Sequence, residues 1–238
     1  MVVRGLVLLF VLFCFLVGRC STRSGWASPI GNTLLELFLE MGGTIKRPAE
    51  VLGNLRILIK QASKAIGQAV CPMPKMSFGM HIRGKGKPPK CKLKASKGRQ
   101  LLPCIVYMLR TYFKCDTPHR RLRLACLSAL NDVYNHMYEW TADDNRSVHV
   151  AKAAREHCIL YAELSVRALQ AHGNPLYWKL KPKHHLFLHV CGTQLLTSGN
   201  PKDSWCYLDE DAIGKAAKVA RSCNVHAIQR AVIMKHML

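Results

Sequence analysis

Acidic residues are scarce in this sequence. Its 238 residues include 14 Asp and Glu against 35 Lys and Arg, which gives a formal net charge of +21. Residues 51–115 contain fourteen Lys or Arg and not one acid. A charge imbalance of this size concerns partners and solubility rather than fold. It disfavours a cationic partner and predicts a polyanionic one, either nucleic acid, whose phosphates reward clustered Lys and Arg, or an anionic membrane surface.

Sequence signals for zinc, redox and glycosylation sites are also few. The eleven cysteines contain no Cys-x-x-Cys pair, so their spacing indicates neither a zinc ribbon nor a thioredoxin-like motif. The single glycosylation sequon, Asn145-Arg146-Ser147, is what chance alone would give in a chain of this length. The cysteine count by itself leaves disulfides open.

The sequence also lacks a hydrophobic run long enough to span a membrane. The apolar run Leu6–Gly18 has about 13 residues, whereas a membrane-spanning helix needs about 20. With Arg4 before it and Arg19-Cys20 after it, this run gives residues 1–20 the layout of a secretory signal peptide. The leader favours the secretory pathway or a membrane, whereas the basic body favours the nucleus. An apolar start acquired by truncation is the alternative interpretation.

Strand-like alternation is weak throughout, and apolar residues recur at the helical spacings of three and four. The sequence therefore predicts an all-α fold: an irregular bundle of about seven or eight helices with a basic Gly/Pro-rich loop and a hydrophobic amino-terminal leader. The predicted segments are the leader 1–20, an N-terminal helical segment 21–70, a basic linker or loop 71–99 and a helical domain 100–238.

Start and stop signals place the individual helices. Gly42-Gly43 should end a short first helix, and Pro48 suits the first turn of a second. The acids Asp143-Asp144 suit the start of a long helix. The predicted helices are Asn32–Met41, one that starts near Pro48, Leu101–Phe113, Pro118–Trp140, one from about 143 to 172, and two at about 208–222 and 225–237.

The basic segment 71–99 is the most interpretable feature. It has nine Lys or Arg among Pro and Gly residues, and its only aromatic residue is Phe78. Flexible cations can follow a phosphate backbone without reading bases, whereas the lack of aromatics argues against base stacking. A solvated linker is the alternative. The predicted phosphate contacts, which include a basic turn at 179–183, are Arg83, Lys85, Lys87, Lys90, Lys92, Lys94, Lys97, Arg99, Lys179, Lys181 and Lys183.

Histidines and acids near the carboxyl terminus are candidate metal ligands. His185 and His189 are four residues apart and would share one helical face, which suits a two-histidine zinc site. Asp209, Glu210 and Asp211 would suit Mg²⁺ through hard oxygen ligands. In each case a structural role is the alternative: histidines that pack and hydrogen-bond, and acids that complement a helix dipole.

Two strings carry a family resemblance, KPKHHLFLH at 181–189 and NPKDSWCYLDEDAIGK at 200–215. They resemble an uncharacterised, repetitive protein family of dinoflagellate genomes and, more distantly, the carboxyl-terminal part of RNase H-like transposases. LKASKGRQLLPCIVYML at 93–109 also resembles the start of the helical insertion in such enzymes. The resemblance covers roughly residues 78–237. It implies a last catalytic carboxylate at Glu210, with Asp209 or Asp211 as the less favoured match.

A transposase mechanism would need further carboxylates, supplied by earlier strands, to hold two metal ions. Before Asp116 the only acids are Glu36, Glu40 and Glu50, each near a predicted helix. We therefore expect a non-enzymatic, nucleic-acid-associated protein that derives from a transposase-like mobile-element coding region. The alternatives are a secreted or membrane-associated basic protein with disulfides, and residual divalent-metal-dependent phosphodiester chemistry that uses Glu210.

Overall fold

The computed structural model describes residues 27–44, 48–68, 95–140, 146–172, 176–195 and 199–200, together with Met73, Pro89, Cys91 and Leu93. These residues form six α-helices, a π-helical turn and no β-strand, so the predicted all-α class is confirmed. In chain order the elements are α1 (Ala27–Glu40), α2 (Pro48–Ala65), α3 (Ala95–Thr111), α4 (Pro118–Glu139), α5 (Arg146–His172), α6 (Pro182–His189) and the π-helical turn (Val190–Gln194).

Three predicted features lie outside the described residues: the leader 1–20 and the helices expected at about 208–222 and 225–237. The described residues all belong to one compact unit, Arg19–Asp203. Among the helices placed in that unit, none is both long and apolar enough to cross a membrane.

Two glycines end α1, as the sequence predicts. α1 stops at Glu40, Gly42 takes the left-handed conformation with a φ of 77°, and Gly43 N–H donates to Phe38 O at 2.8 Å. Gly42 N–H donates to Leu39 O at 3.0 Å, which completes a Schellman pattern. Glycine suits position 42 because it adopts a positive φ without a steric cost.

Gly43→Ala should lower the free energy of unfolding by about 1–3 kcal/mol, because an added Cβ would lie 2.5 Å from Phe38 O and 2.6 Å from the Phe38 ring. Gly53→Ala is the matched control. Gly53 is exposed within α2, and nothing lies within 4 Å of an added Cβ, so this change should stabilise by about 0.5–1 kcal/mol. Urea unfolding checks both variants. A Gly43→Ala chain as stable as the wild type would contradict the close contact with Phe38.

α3 begins six residues earlier than the sequence predicts. It spans Ala95–Thr111, and its first six residues include Gly98, whose low helix propensity favours a loop in a sequence-based prediction. Ile105 and Met108 on the same helix are fully buried. Because most helical stability in proteins comes from packing of an apolar face, this burial outweighs the poor propensity of Gly98.

α4 and α5 make the most extensive helix-to-helix contact among the described elements. The apolar residues that recur at helical spacing along α4, Cys126, Leu130, Val133 and Met137, are all buried. Those of α5 are buried from Cys158 onward, at Tyr161, Leu164 and Ala168, whereas Val148 near its start is 53% exposed.

Trp178 joins α1 to this helix pair. Its side chain is fully buried and packs edge-on against Tyr161 of α5, with 5.3 Å between the ring centroids. Its backbone N–H donates to Asn32 Oδ1 at 3.0 Å, and its Nε1–H donates to Glu36 Oε1 at 2.5 Å. These two bonds to α1 hold Trp178 at a φ of 49°, a conformation that bulky residues rarely adopt.

Candidate functional site

The basic segment 71–99 is packed into the fold at several points. Met73, Pro89 and Cys91 are buried. Burial raises the pKa of the Cys91 thiol to about 12, so this side chain stays protonated at neutral pH. These three side chains are not solvated, whereas the cations at 75–94 lie outside the described residues.

The two ends of the basic segment are held side by side. Gln68, just after α2, donates from Nε2 to Gln100 O of α3 at 2.9 Å. Its Oε1 accepts from Ser63 Oγ at 3.2 Å and from Cys104 Sγ at 3.2 Å. α2 and α3 also pack against each other. The residues that flank the basic segment, Gln68 and Gln100, therefore lie together at one corner of the described fold, where the end of α2 meets α3.

α2 presents a row of cations that leads to this corner. Arg56, Lys60 and Lys64 are spaced by four residues, and all three are exposed. At 1.5 Å per residue the row extends over about 12 Å of helix surface. The only acid of α2, Glu50, lies in its first turn, away from the row. We call Arg56, Lys60 and Lys64 the α2 row.

Four of the predicted phosphate contacts can be placed with their side chains. Lys97 is exposed and belongs to α3 rather than to a loop, and the Arg99 guanidinium lies 4.6 Å from the centroid of the Tyr138 ring. Lys179 is exposed and Lys181 is half-buried just before α6. Lys183 lies in α6, but its side chain is outside the description. The remaining predicted contacts also lie outside the described residues: Arg83, Lys85, Lys87, Lys90, Lys92 and Lys94.

The KPKHHLFLH segment forms α6 and gives its histidines different surroundings. His184 is buried, its Nδ1 accepts from Lys181 N–H at 3.1 Å, and its ring lies against Tyr161 with 4.2 Å between centroids. Burial lowers the pKa of His184, which favours the neutral ring. His185 and His189 are exposed, and their Nε2 atoms are 2.9 Å apart. The described part of the chain contains no group of three or more His, Cys, Asp or Glu placed to hold a metal ion.

The acids predicted to bind a divalent cation, Asp209, Glu210 and Asp211, lie outside the described residues. Glu36 and Glu40 on α1 form another pair of carboxylates that must be considered as metal ligands. Both are paired with cations of α4, so their oxygens are already occupied by protein donors.

Glu36 is the centre of a partly buried charge network. Arg123, which is 1% exposed, donates from Nη1 to Glu36 Oε2 at 2.9 Å and to Glu40 Oε1 at 2.7 Å. Glu36 Oε1 lies 3.1 Å from His119 Nε2 and accepts the Trp178 indole N–H. We call these five residues the Glu36 network.

The Glu36 network keeps its central carboxyl ionised. Burial alone would raise the pKa of Glu36, but the hydrogen bond with His119, the charge of Arg123 and the Trp178 donor together lower that pKa below its usual value. Burial likewise disfavours the charged form of Arg123, but the two carboxylates raise its pKa overall. The network therefore holds ionised groups that compensate one another inside the fold.

An open cleft of about 660 Å³ borders this network. Its walls come from α1, the start of α4, the end of α5 and Tyr177. The two arginines that line it are paired: Arg120 with Asp116 at 2.8 Å and Glu40 at 3.4 Å, and Arg167 with Glu163 at 2.7 Å. Because its charges offset one another, the cleft lacks the concentrated positive charge that favours a polyanion.

The six described cysteines, Cys91, Cys104, Cys115, Cys126, Cys158 and Cys191, form no disulfide with one another. The other five cysteines of the sequence lie outside the described residues. Burial raises the pKa of the Cys158 thiol to about 11, which keeps it protonated and unreactive at neutral pH.

Comparison of the chain with protein-family models, curated proteins and solved structures finds no match. A function is therefore inferred from the residues of the chain and their geometry.

Sequence patterns missed two features that the structure brings forward. The Arg123 contacts with Glu36 and Glu40 join positions more than eighty residues apart, and no local spacing of residues predicts them. For the α2 row a signal did exist, since three cations at four-residue intervals without an intervening acid must share one helical face. The sequence indicated a packing helix there, which describes only its buried face.

Proposed function

We propose that this protein binds the phosphate backbone of nucleic acid and catalyses no reaction. The contacts would be the α2 row, the basic segment 71–99 including Lys97 and Arg99, and the turn at 179–183. The observation that carries this proposal is the stretch 51–115, which has fourteen cations and no acid, and within which the bond from Gln68 to Gln100 O joins the end of α2 to α3. Clustered cations of this kind bind phosphates by releasing condensed counterions, whatever the base sequence.

The distribution of ion pairs supports this location. Many cations outside residues 51–115 have an acidic partner, as in Arg120 with Asp116, Arg146 with Glu139, and Arg167 with Glu163. Within residues 51–115 no acid exists to play that part. On α4 and α5, acids therefore offset part of the positive charge. Around α2 and the start of α3, no acid close in sequence does so.

A mobile-element origin belongs to the same proposal. It rests on the resemblance of the strings at 181–189, 200–215 and 93–109 to transposase segments. Most of the last string lies in α3, and a helix is compatible with the start of a helical insertion. Such an origin would account for a nucleic-acid-binding body without a complete set of catalytic carboxylates.

Binding to a labelled, mixed-sequence DNA duplex should weaken steeply as salt rises, because log K falls by about 0.9 per log unit of salt for every phosphate neutralised. Lys60→Gln/Lys64→Gln should weaken binding at low salt and make the slope shallower by about 2. Fluorescence anisotropy over a salt series measures both quantities on the full chain.

Lys152→Gln/Arg155→Gln is the matched control, because it removes the same charge from two exposed positions of α5. It should leave the salt slope close to that of the wild type. Equal effects of the two double variants would mean that only net charge matters, which contradicts a contact at α2. Binding that ignores salt, or binding to phosphatidylserine vesicles without binding to DNA or RNA, would overturn the proposed function.

A further inference from the structure

Two exposed histidines of α6 direct their ring nitrogens at each other. His185 and His189 lie one helical turn apart, and their Nε2 atoms are separated by 2.9 Å. The ring centroids are 4.3 Å apart, and the ring planes are nearly perpendicular at 89°. Only one of the two nitrogens can supply a proton to a hydrogen bond between neutral rings, so at least one lone pair lies at this point of the helix surface.

We propose that His185 and His189 form a two-nitrogen binding site for a divalent transition-metal ion, which we identify as Zn²⁺ on the chemistry of its donors. Neutral imidazole nitrogen suits zinc, whereas Mg²⁺ requires hard oxygen ligands. With Zn–N distances of about 2.0–2.1 Å, tetrahedral geometry places two nitrogen ligands about 3.3 Å apart. The pair would open by only a few tenths of an ångström, which small rotations of two exposed side chains can supply.

The backbone that carries the pair is anchored on both sides. Before it, Lys181 is extended, Pro182 opens α6, and the buried His184 accepts a hydrogen bond from Lys181 N–H. After it, the helix continues directly into the π-helical turn, where Cys191 is 1% exposed. π-helical turns inside helices are frequent at functional sites. Because α6 is held at both ends, the metal would find its two ligands already one turn apart and facing each other.

Two ligands define an open site rather than a closed structural one. The described residues add no third His, Cys, Asp or Glu to this pair. The other coordination positions of the ion would therefore face solvent and take water or an exchangeable anionic ligand, as in zinc sites that keep an open position. This inference is independent of the proposed nucleic-acid binding, since neither imidazole belongs to the cations assigned to phosphate.

Zn²⁺ titration of the full chain, labelled with ¹⁵N at histidine, tests the site directly. The Nε2 resonances of His185 and His189 should shift together and saturate with one equivalent bound between them. His189→Gln should weaken binding at His185 by more than about tenfold, since removal even of a group that only orients a metal ligand costs 10- to 100-fold in affinity. His185→Gln should do the same to His189.

His149→Gln is the matched control. His149 is exposed on α5 and also lies near another histidine, His136, but their ring centroids are 5.4 Å apart rather than the 4.3 Å of the α6 pair. This variant should titrate like the wild type, with circular dichroism to verify that all variants are folded. Zn²⁺ that shifts other histidines but not this pair, or a His185 shift that persists unchanged in His189→Gln, would overturn the inference.

Discussion

Arg123→Met should lower the free energy of unfolding by about 3–5 kcal/mol, one of the largest effects expected from a single substitution in this protein. The guanidinium is 1% exposed and contacts both Glu36 and Glu40. Met fills a similar volume without a charge, so the loss would come mainly from two carboxylates left without their shared cation. Urea unfolding followed by circular dichroism gives the free energy.

Two further variants separate the charge effect from the loss of packing. Arg123→Met/Glu36→Gln/Glu40→Gln removes the whole ionic set and should recover much of the stability lost by Arg123→Met alone, because neutralising both partners of a buried pair is far less costly than removing one. Arg155→Met, at an exposed position of α5, should change stability by no more than about 0.5 kcal/mol. If the triple variant is no more stable than Arg123→Met, uncompensated charge is not the cause.

Most of the fold could be predicted because its signals are local. The start of α2 at Pro48, the end of α1 at Gly42-Gly43 and the buried face of α4 each follow from residues within a few turns of one another. The predicted start of α3 was wrong because the low helix propensity of Gly98 opposed a helix that tertiary packing stabilises.

The Glu36 network could not be predicted, because its contacts join residues that are far apart in the sequence. Glu36, Arg123 and Trp178 lie on three separate parts of the chain, and only the folded unit brings them together. No sequence pattern indicates the burial of Arg123 in the second turn of α4 or the left-handed φ of Trp178. The structure shows Arg123 buried and paired with Glu36 and Glu40.

The candidate binding surface could be predicted only in part. Its charge was evident from the scarcity of acids, but its location depends on Gln68, whose hydrogen bond to Gln100 O brings the two ends of the basic segment together. That bond places the end of α2, which carries Lys64, beside α3, the helix that carries Lys97.

The second large effect is a loss of stability at acidic pH that arises from one buried histidine, His157. His157 of α5 lies between α4 and α6, and its Nδ1 is 2.9 Å from Cys126 O, to which it can donate. Burial, aided by the charge of His184 and opposed by the hydrogen bond to Cys126 O, lowers the pKa of His157 from 6.5 to about 4. Between these two values the unfolded chain binds a proton that the native chain does not.

Stability should therefore fall as the pH drops from about 6.5 to about 4, and His157 alone should account for about 3 kcal/mol of that loss. His157→Asn removes the titrating group and keeps an amide N–H that can replace the Nδ1 donor. The variant loses some packing at every pH, but its unfolding free energy should depend less on pH across this window than that of the wild type. Glu36 and His184, whose pKa values are also lowered, contribute to acid sensitivity in both chains and cancel in the comparison. Parallel curves of unfolding free energy against pH for the two proteins would show that His157 binds its proton equally well in the native and unfolded chains, contrary to the lowered pKa.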